Sequence, residues 1–248
     1  MVIACQPGRV HDRVRTALRQ LARFGALLVE LQSPTKALPD SDACVVIIDD
    51  DTEFRESLER LLRSAGLQAL TFAAIAEYVK SEPPDRPTCL VLDVRMPGRS
   101  GLEFQRDLAA AGATLPIVFI TGHGDIPMTV QAMKAGAIEF LTKPFRDQDL
   151  LDAVNVGLAR DRARRASEQS LNALRARFEE LTPRERSILI QVVQGRLNKQ
   201  IGGDMGITET TVKVHRSNMM HKIGAASLPE LCRMADQLNL VPKNSKRP

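Results

Sequence analysis

Residues 44–51 read CVVIIDDD, an apolar run that ends in three carboxylates, Asp49, Asp50 and Asp51. A continuous apolar run of this length, rich in β-branched residues, suits a strand buried on both faces. Three like charges at its end repel one another and raise each other's pKa, so something must offset them. Two explanations fit the octapeptide. The helical pattern FRESLERLLRSAG follows, so an aspartate could cap that helix and complement its dipole. Alternatively, closely placed carboxylates are the natural ligands of a divalent cation.

The residues that follow favour the second explanation. Phe54, Leu58, Leu61, Leu62 and Ala65 share one helix face, closed by Gly66. Then come LQALTF, a helix near 73–81, CLVLD, a helix over 101–111 closed by Gly112, PIVFIT, a helix near 127–135, IEFLTKP, and a helix from about residue 146. Five strands alternating with five helices predict an α/β fold, a doubly wound parallel sheet covered on both faces. Ligands of such sheets sit outside the carboxyl ends of the strands, where the strand order switches. At those ends the first strand places Asp49, Asp50 and Asp51, the third Asp93, the fourth Thr121 and the fifth Lys143. Capping accounts for the first group and leaves the other three residues unexplained.

The chain has 248 residues, 44% hydrophobic and 26% charged, which allows one large or two smaller globular domains. Its charge is uneven. Residues 43–150 carry 11 Lys and Arg against 16 Asp and Glu, a net of −5; residues 151–248 carry 17 against 10, a net of +7. That asymmetry predicts two domains, the second suited to a polyanion. No apolar run approaches the roughly 20 residues of a membrane helix. The first 31 residues lack an apolar core followed by a cleavage site, so no secretory signal and a cytoplasmic location are expected. Cys5, Cys44, Cys89 and Cys232 lie far apart, with no C-x-x-C pair, and read as small hydrophobes in a reducing compartment.

Residues 1–42 form an N-terminal extension in which VRTALRQLARFGALLVEL can make an amphipathic helix and SPTKALPDSD reads as a linker. An α/β domain is expected over 43–158, a helical linker or extended fifth helix over 159–178, and an all-α domain over 179–248. Within the linker, RDRARR has a rival reading as a basic nucleic-acid arm. The last domain reads as helical from Leu181 to about Leu240, with a short turn at Gly206-Ile207. Asn198–Met205 is the expected scaffold helix, and Thr208 the N-cap of the next. In that second helix Val212, Met219 and Ile223 face inward. Thr210, Thr211, Lys213, Val214, His215, Arg216 and Ser217 include its outward face. Hydroxyls and cations on a short helix suit the major groove of double-stranded DNA. A helical hairpin that binds protein fits the apolar pattern equally well, but not the charge.

VVIIDDD, LVLDVRMPGRSG, PIVFITGHGD and IEFLTKPF together resemble the receiver domain of two-component response regulators. Their spacing agrees too: 43 residues from Asp50 to Asp93, 28 more to Thr121 and 22 more to Lys143. LTPRE, NKQI and ITETTVKVHRSNMMHKIGAAS resemble the LuxR-type helix-turn-helix of FixJ/NarL regulators. The resemblance implies a (βα)5 receiver joined by a helical linker to an all-α DNA-binding domain. Asp93 would be the phospho-acceptor. Mg²⁺ would be held by Asp50, Asp93 and the carbonyl of Arg95, with Asp49 acting through water. Thr121 and Lys143 would bind phosphoryl oxygens, and the Lys143–Pro144 bond would be cis. Phe140 would be the switch aromatic or an ordinary core residue, and Asp51 a cap or surface acid. Lys213, Val214 and Ser217 would read bases, while Lys199, Thr210, Thr211 and Arg216 would contact phosphates. His215 packs or touches DNA. The implied partners are a sensor histidine kinase, a second copy of the chain on phosphorylation, and RNA polymerase; the implied output is control of transcription, not enzymatic turnover. A regulator of this architecture that has abandoned phosphorylation is the alternative. A rival enzyme, the haloacid-dehalogenase type of phosphohydrolase, needs Asp-x-Asp-x-Thr; Asp49-Asp50-Asp51-Thr52-Glu53 puts the threonine one place too early. One departure from the family is Gly202-Gly203, where at least one alanine is usual. Glycine inside a helix costs about 0.5–1 kcal/mol relative to alanine, so a weakened scaffold helix is expected.

Overall fold

The computed structural model describes residues 43–122 and 124–240, which divide into two units between Arg165 and Ala166. The amphipathic stretch read in the N-terminal extension, and Cys5, lie outside them. In the first unit β1 (Cys44–Ile48), β2 (Gln68–Phe72), β3 (Thr88–Asp93), β4 (Ile117–Thr121) and β5 (Glu139–Thr142) form one sheet. Its order is β2-β1-β3-β4-β5, with every neighbouring pair parallel. The order reverses between β1 and β3, which creates the crevice where ligands of such sheets bind.

Strand alternation divides the core in two. Val46, Ile48, Leu90, Leu92 and Phe119 pack under α2 (Ile75–Lys80), α3 (Gly101–Ala110) and α4 (Ile126–Lys134). Val45, Ile47, Val91, Val118 and Ile120 pack under α1 (Thr52–Ser64) and α5 (Asp147–Glu179). Both faces are covered, which is why the central strands read as unbroken apolar runs.

α5 is a single helix of 33 residues. Past Leu158 its hold on the sheet becomes polar. Asp161 is fully buried and accepts hydrogen bonds from the Thr88 N–H at 3.0 Å, Arg164 Nε at 2.9 Å and Arg165 Nε at 2.8 Å. Arg165 also reaches Asp85 and the Pro84 carbonyl, each at 3.2 Å. A buried carboxylate requires such partners, so these two arginines of RDRARR are committed within the first unit. That geometry overturns the nucleic-acid-arm reading for them.

The second unit packs α6 (Pro183–Val193), α7 (Asn198–Met205), α8 (Glu209–Ile223) and α9 (Leu228–Gln237) with the end of α5. Leu174, Leu181, Ile188, Leu189, Val192, Ile201, Val212, Met219, Ile223 and Leu231 form its core. The segment is less continuous than its sequence suggests. Besides Gly206, Gly195 (φ 83°) and Gly224 (φ 80°) interrupt it, because a left-handed residue ends an α-helix.

Candidate functional site

Backbone pairing brings four strand ends to one edge. The Asp49 N–H bonds the Phe72 carbonyl at 3.2 Å, the Val94 N–H bonds the Ile120 carbonyl at 3.0 Å, and the Lys143 N–H bonds the Thr121 carbonyl at 2.7 Å. Asp49, Asp50 and Asp93 each offer a carboxylate oxygen within 4.8 Å of the others. Asp49 and Asp93 are buried, whereas Asp50 is exposed. α3 begins close against this edge. A Cβ on Gly101 would come within 2.4 Å of the Asp93 carbonyl, so only glycine fits there.

Asp51 separates from its neighbours. It is the N-cap of α1 and accepts the Phe54 N–H at 3.1 Å. Capping therefore accounts for Asp51, while Asp49 and Asp50 stay with Asp93 in the acid cluster. Asp49 is shaped by the same turn: its side chain accepts the Asp51 N–H at 2.9 Å, and its carbonyl accepts Arg55 Nη1 at 2.7 Å.

Lys143 supplies the counter-charge. Its Nζ lies 2.7 Å from Asp49 Oδ2 and 3.1 Å from Asp93 Oδ2. Burial works against the ammonium, but its hydrogen bonds and attraction to Asp49 and Asp93 outweigh it and raise the Lys143 pKa. Burial pushes the Asp49 carboxyl above the usual range; Lys143 and the Asp51 N–H pull it down, and repulsion from Asp93 adds to the rise. Two acids sharing one cation are left under-neutralised, a charge balance that invites a second cation. Thr121 is fully buried at the end of β4, beside Thr142 in register. The Arg95 N–H donates to Asp93 Oδ1 at 2.9 Å, and the Lys143–Pro144 peptide is cis. Phe140 is buried in the core against Phe119, with centroids 6.2 Å apart.

In the second unit α7 and α8 meet at a tight turn. Gly206 (φ 65°) ends α7, and Thr208 caps α8 by accepting the Thr211 N–H at 3.2 Å. Gly202 faces that turn: a Cβ there would come within 2.7 Å of the Ile207 carbonyl, while one on Gly203 would meet nothing within 4 Å. The pair is therefore not a uniform weakness. Both carry the helix penalty, but Gly202 is demanded by close packing, whereas at Gly203 nothing offsets it. Glu185 and Lys222 tie α6 to the last turn of α8 at 2.8 Å. Burial of Glu185 opposes its charge, but the donors Lys222 and Thr182 outweigh it and hold the carboxyl below its usual range.

Comparison with known proteins agrees with this arrangement. Residues 45–155 match the family described as "Response regulator receiver domain", and residues 179–235 match "Bacterial regulatory proteins, luxR family". Nodulation protein W of Bradyrhizobium diazoefficiens is 47% identical over 205 residues, covering 83% of this chain and 90% of its own length. The chain is a two-component response regulator with a LuxR-type DNA-binding domain. The response regulator is also 43% identical to the transcriptional regulatory protein FixJ of Azorhizobium caulinodans, over 82% of this chain and 97% of that one. A solved structure of response regulator StyR superposes with a TM-score of 0.71 at 48% identity, covering 79% of this chain and all of that one. Among the described residues, no helix is long and apolar enough to cross a membrane.

Within the output domain the structure sorts the residues expected to meet DNA. Thr210, Lys213, Val214 and Ser217 are exposed on α8, and Lys199 is exposed on α7. Thr211, His215 and Arg216 are half-buried. The Thr211 hydroxyl pairs with that of Thr208 at 2.8 Å, and Arg216 Nη1 donates to Asn198 Oδ1 at 3.1 Å. Those two side chains brace the helix-turn-helix from within. The exposed stripe of the response regulator continues instead through Asn218 and His221. They follow Val214 and Ser217 at helical spacing, so a helical wheel alone places them on the same face. Phe54, against which Lys143 rests, was read only as a core position.

Proposed function

We propose that the response regulator accepts a phosphoryl group on Asp93 from a histidine kinase and thereby alters its dimerisation and its grip on DNA. The observation that carries the reading is the meeting of Asp49, Asp50, Asp93 and Lys143 at the strand-order switch. A carboxylate oxygen of Asp93 bonds to phosphorus as the P–N bond of the kinase phosphohistidine breaks, and the electron pair and a proton end on the imidazole. Three hard oxygen donors within 4.8 Å fit a small divalent cation. Asp50, Asp93 and the Arg95 carbonyl would hold Mg²⁺, with Asp49 through water; once bound, it offsets the charge that would otherwise repel the incoming group. Lys143, 3.1 Å from Asp93 Oδ2, passes from that oxygen to one on phosphorus. Thr121 binds another, and the rearrangement is reported through Phe140. Ile126, Val130 and Met133 form an exposed apolar row on α4, which supports a dimer face on the receiver. Lys213, Val214, Ser217 and Asn218 read base edges, with Lys199 and Thr210 on phosphates. The protein works in the cytoplasm, as a switch without turnover, on promoters served by RNA polymerase.

Incubation with acetyl phosphate and Mg²⁺ tests the reading. Uptake of about one phosphoryl group per chain, lost in Asp93→Asn and kept in Lys213→Ala, is expected. Genome-wide mapping of bound sites is expected to show fewer sites for both variants. Absence of uptake by the parent chain would leave the phosphorylation-independent alternative.

A further inference from the structure

The acid pocket has an aromatic wall for which the phosphoryl-transfer chemistry above has no use. Phe54 lies in the first turn of α1, half-buried, with the Lys143 ammonium 3.8 Å from its ring centroid. Phe145 packs edge-on against the same ring, centroids 6.1 Å apart at 85°. The turn carrying Phe54 is itself tied to the pocket. Asp51 caps it, the Asp51 N–H binds the Asp49 carboxylate, and Arg55 binds the Asp49 carbonyl. The ammonium is thus bounded by two carboxylates and the face of a ring. A cation over an aromatic face is drawn to the ring quadrupole, more strongly where water is excluded, and the Lys143 side chain is only 20% exposed.

We infer that Phe54 is a positioning residue of the phosphoryl-acceptor site: its ring holds the Lys143 ammonium beside the Asp93 oxygen that reacts. The inference rests on the reading of Asp93 as acceptor and Lys143 as phosphoryl ligand. Lysine carries a point charge on a flexible four-carbon stem, so pairing with carboxylates alone leaves it free to swing towards water. The ring removes that freedom without adding a charge that would compete for the phosphoryl group. An aliphatic side chain would fill the same space and give no electrostatic hold. That difference separates positioning from packing.

The test replaces Phe54 in the full-length chain with phenylalanines of increasing fluorination, which weakens the ring's negative face with little change of shape. Phe54→Leu and Phe54→Trp accompany the series. Two readouts are taken: the rate of phosphoryl incorporation from acetyl phosphate with Mg²⁺, and the NMR signal of the Lys143 ammonium. Incorporation is expected to slow stepwise, by about two- to fivefold across the series, with Phe54→Leu near its lower end and Phe54→Trp near the parent. The Lys143 signal is expected to lose its protection from exchange in the same order. A flat series in both readouts would show that the ring merely packs and would overturn the inference. If the parent chain takes up no phosphoryl group, the reading of Asp93 fails, and the order of Lys143 protection across the series still decides the role of Phe54.

Discussion

Alanine placed at either of two adjacent glycines should act in opposite directions. Gly202 and Gly203 both lie inside α7, so each replacement gains the same helix preference, about 0.5–1 kcal/mol. At Gly203 nothing lies within 4 Å of the added methyl, and that gain is the whole effect. At Gly202 the methyl would sit 2.7 Å from the Ile207 carbonyl and 3.6 Å from the backbone of Thr208 and Glu209. Backbone atoms cannot rotate aside, and the Ile207 N–H is held by the Gly202 carbonyl at 3.0 Å. The start of α8 must therefore shift, at the roughly 1–3 kcal/mol typical of overpacking. Because the helix term cancels between the variants, the difference in their stabilities isolates this steric cost. Hydrogen exchange of the α7 and α8 amides in the full-length chain measures it without assuming that the two units unfold together. Protection is expected to rise in Gly203→Ala and fall in Gly202→Ala. Operator binding should weaken in Gly202→Ala, since α8 loses its seat. Equal protection in the two variants would refute the reasoning, because it would mean that α7 and α8 do not approach so closely.

Other outcomes follow from the buried ionisable groups. The carboxyl of Glu185 is held below its usual range, so its ion pair stabilises the fold above the ordinary glutamate value and is lost as pH falls through the lowered one. Acid unfolding of the second unit is expected to flatten in Glu185→Gln at the expense of stability at neutral pH; an unchanged acid profile would count against this role. Burial pushes the thiols of Cys44 and Cys89 up to about 11 and about 12. At pH 8 the thiolate needed for alkylation is then present at roughly one part in a thousand or less. Peptide mapping after iodoacetamide treatment should find Cys232 labelled in the native protein, and Cys44 and Cys89 only after unfolding.

Much of the fold was legible because local chemistry and global burial agree. Strands β1, β3 and β4 are covered on both sides and so read as unbroken apolar runs. Ser100 and Glu103, and again Thr182 and Glu185, spell capping boxes that start α3 and α6. The glycines that end α6 and α8 carried the same kind of local signal, which the reading of one nearly continuous helical segment passed over. The RDRARR stretch left a basic nucleic-acid arm open beside the helical reading, because composition registers charge and not its partner. Asp161, which neutralises Arg164 and Arg165, is itself anchored to Thr88, 73 residues away in the chain.

The sequence by itself determined the alternation of strands and helices, the delivery of Asp49, Asp50, Asp93, Thr121 and Lys143 to strand ends, and the helix-turn-helix with its inward Val212, Met219 and Ile223. Those features are written in period and spacing, which act along the chain. Only the tertiary structure decided that Asp49 pairs with Lys143, that Phe54 lies against the ammonium, and that Arg216 is held by Asn198. Each of those depends on which distant side chain arrives within a few ångströms, and no local pattern encodes that.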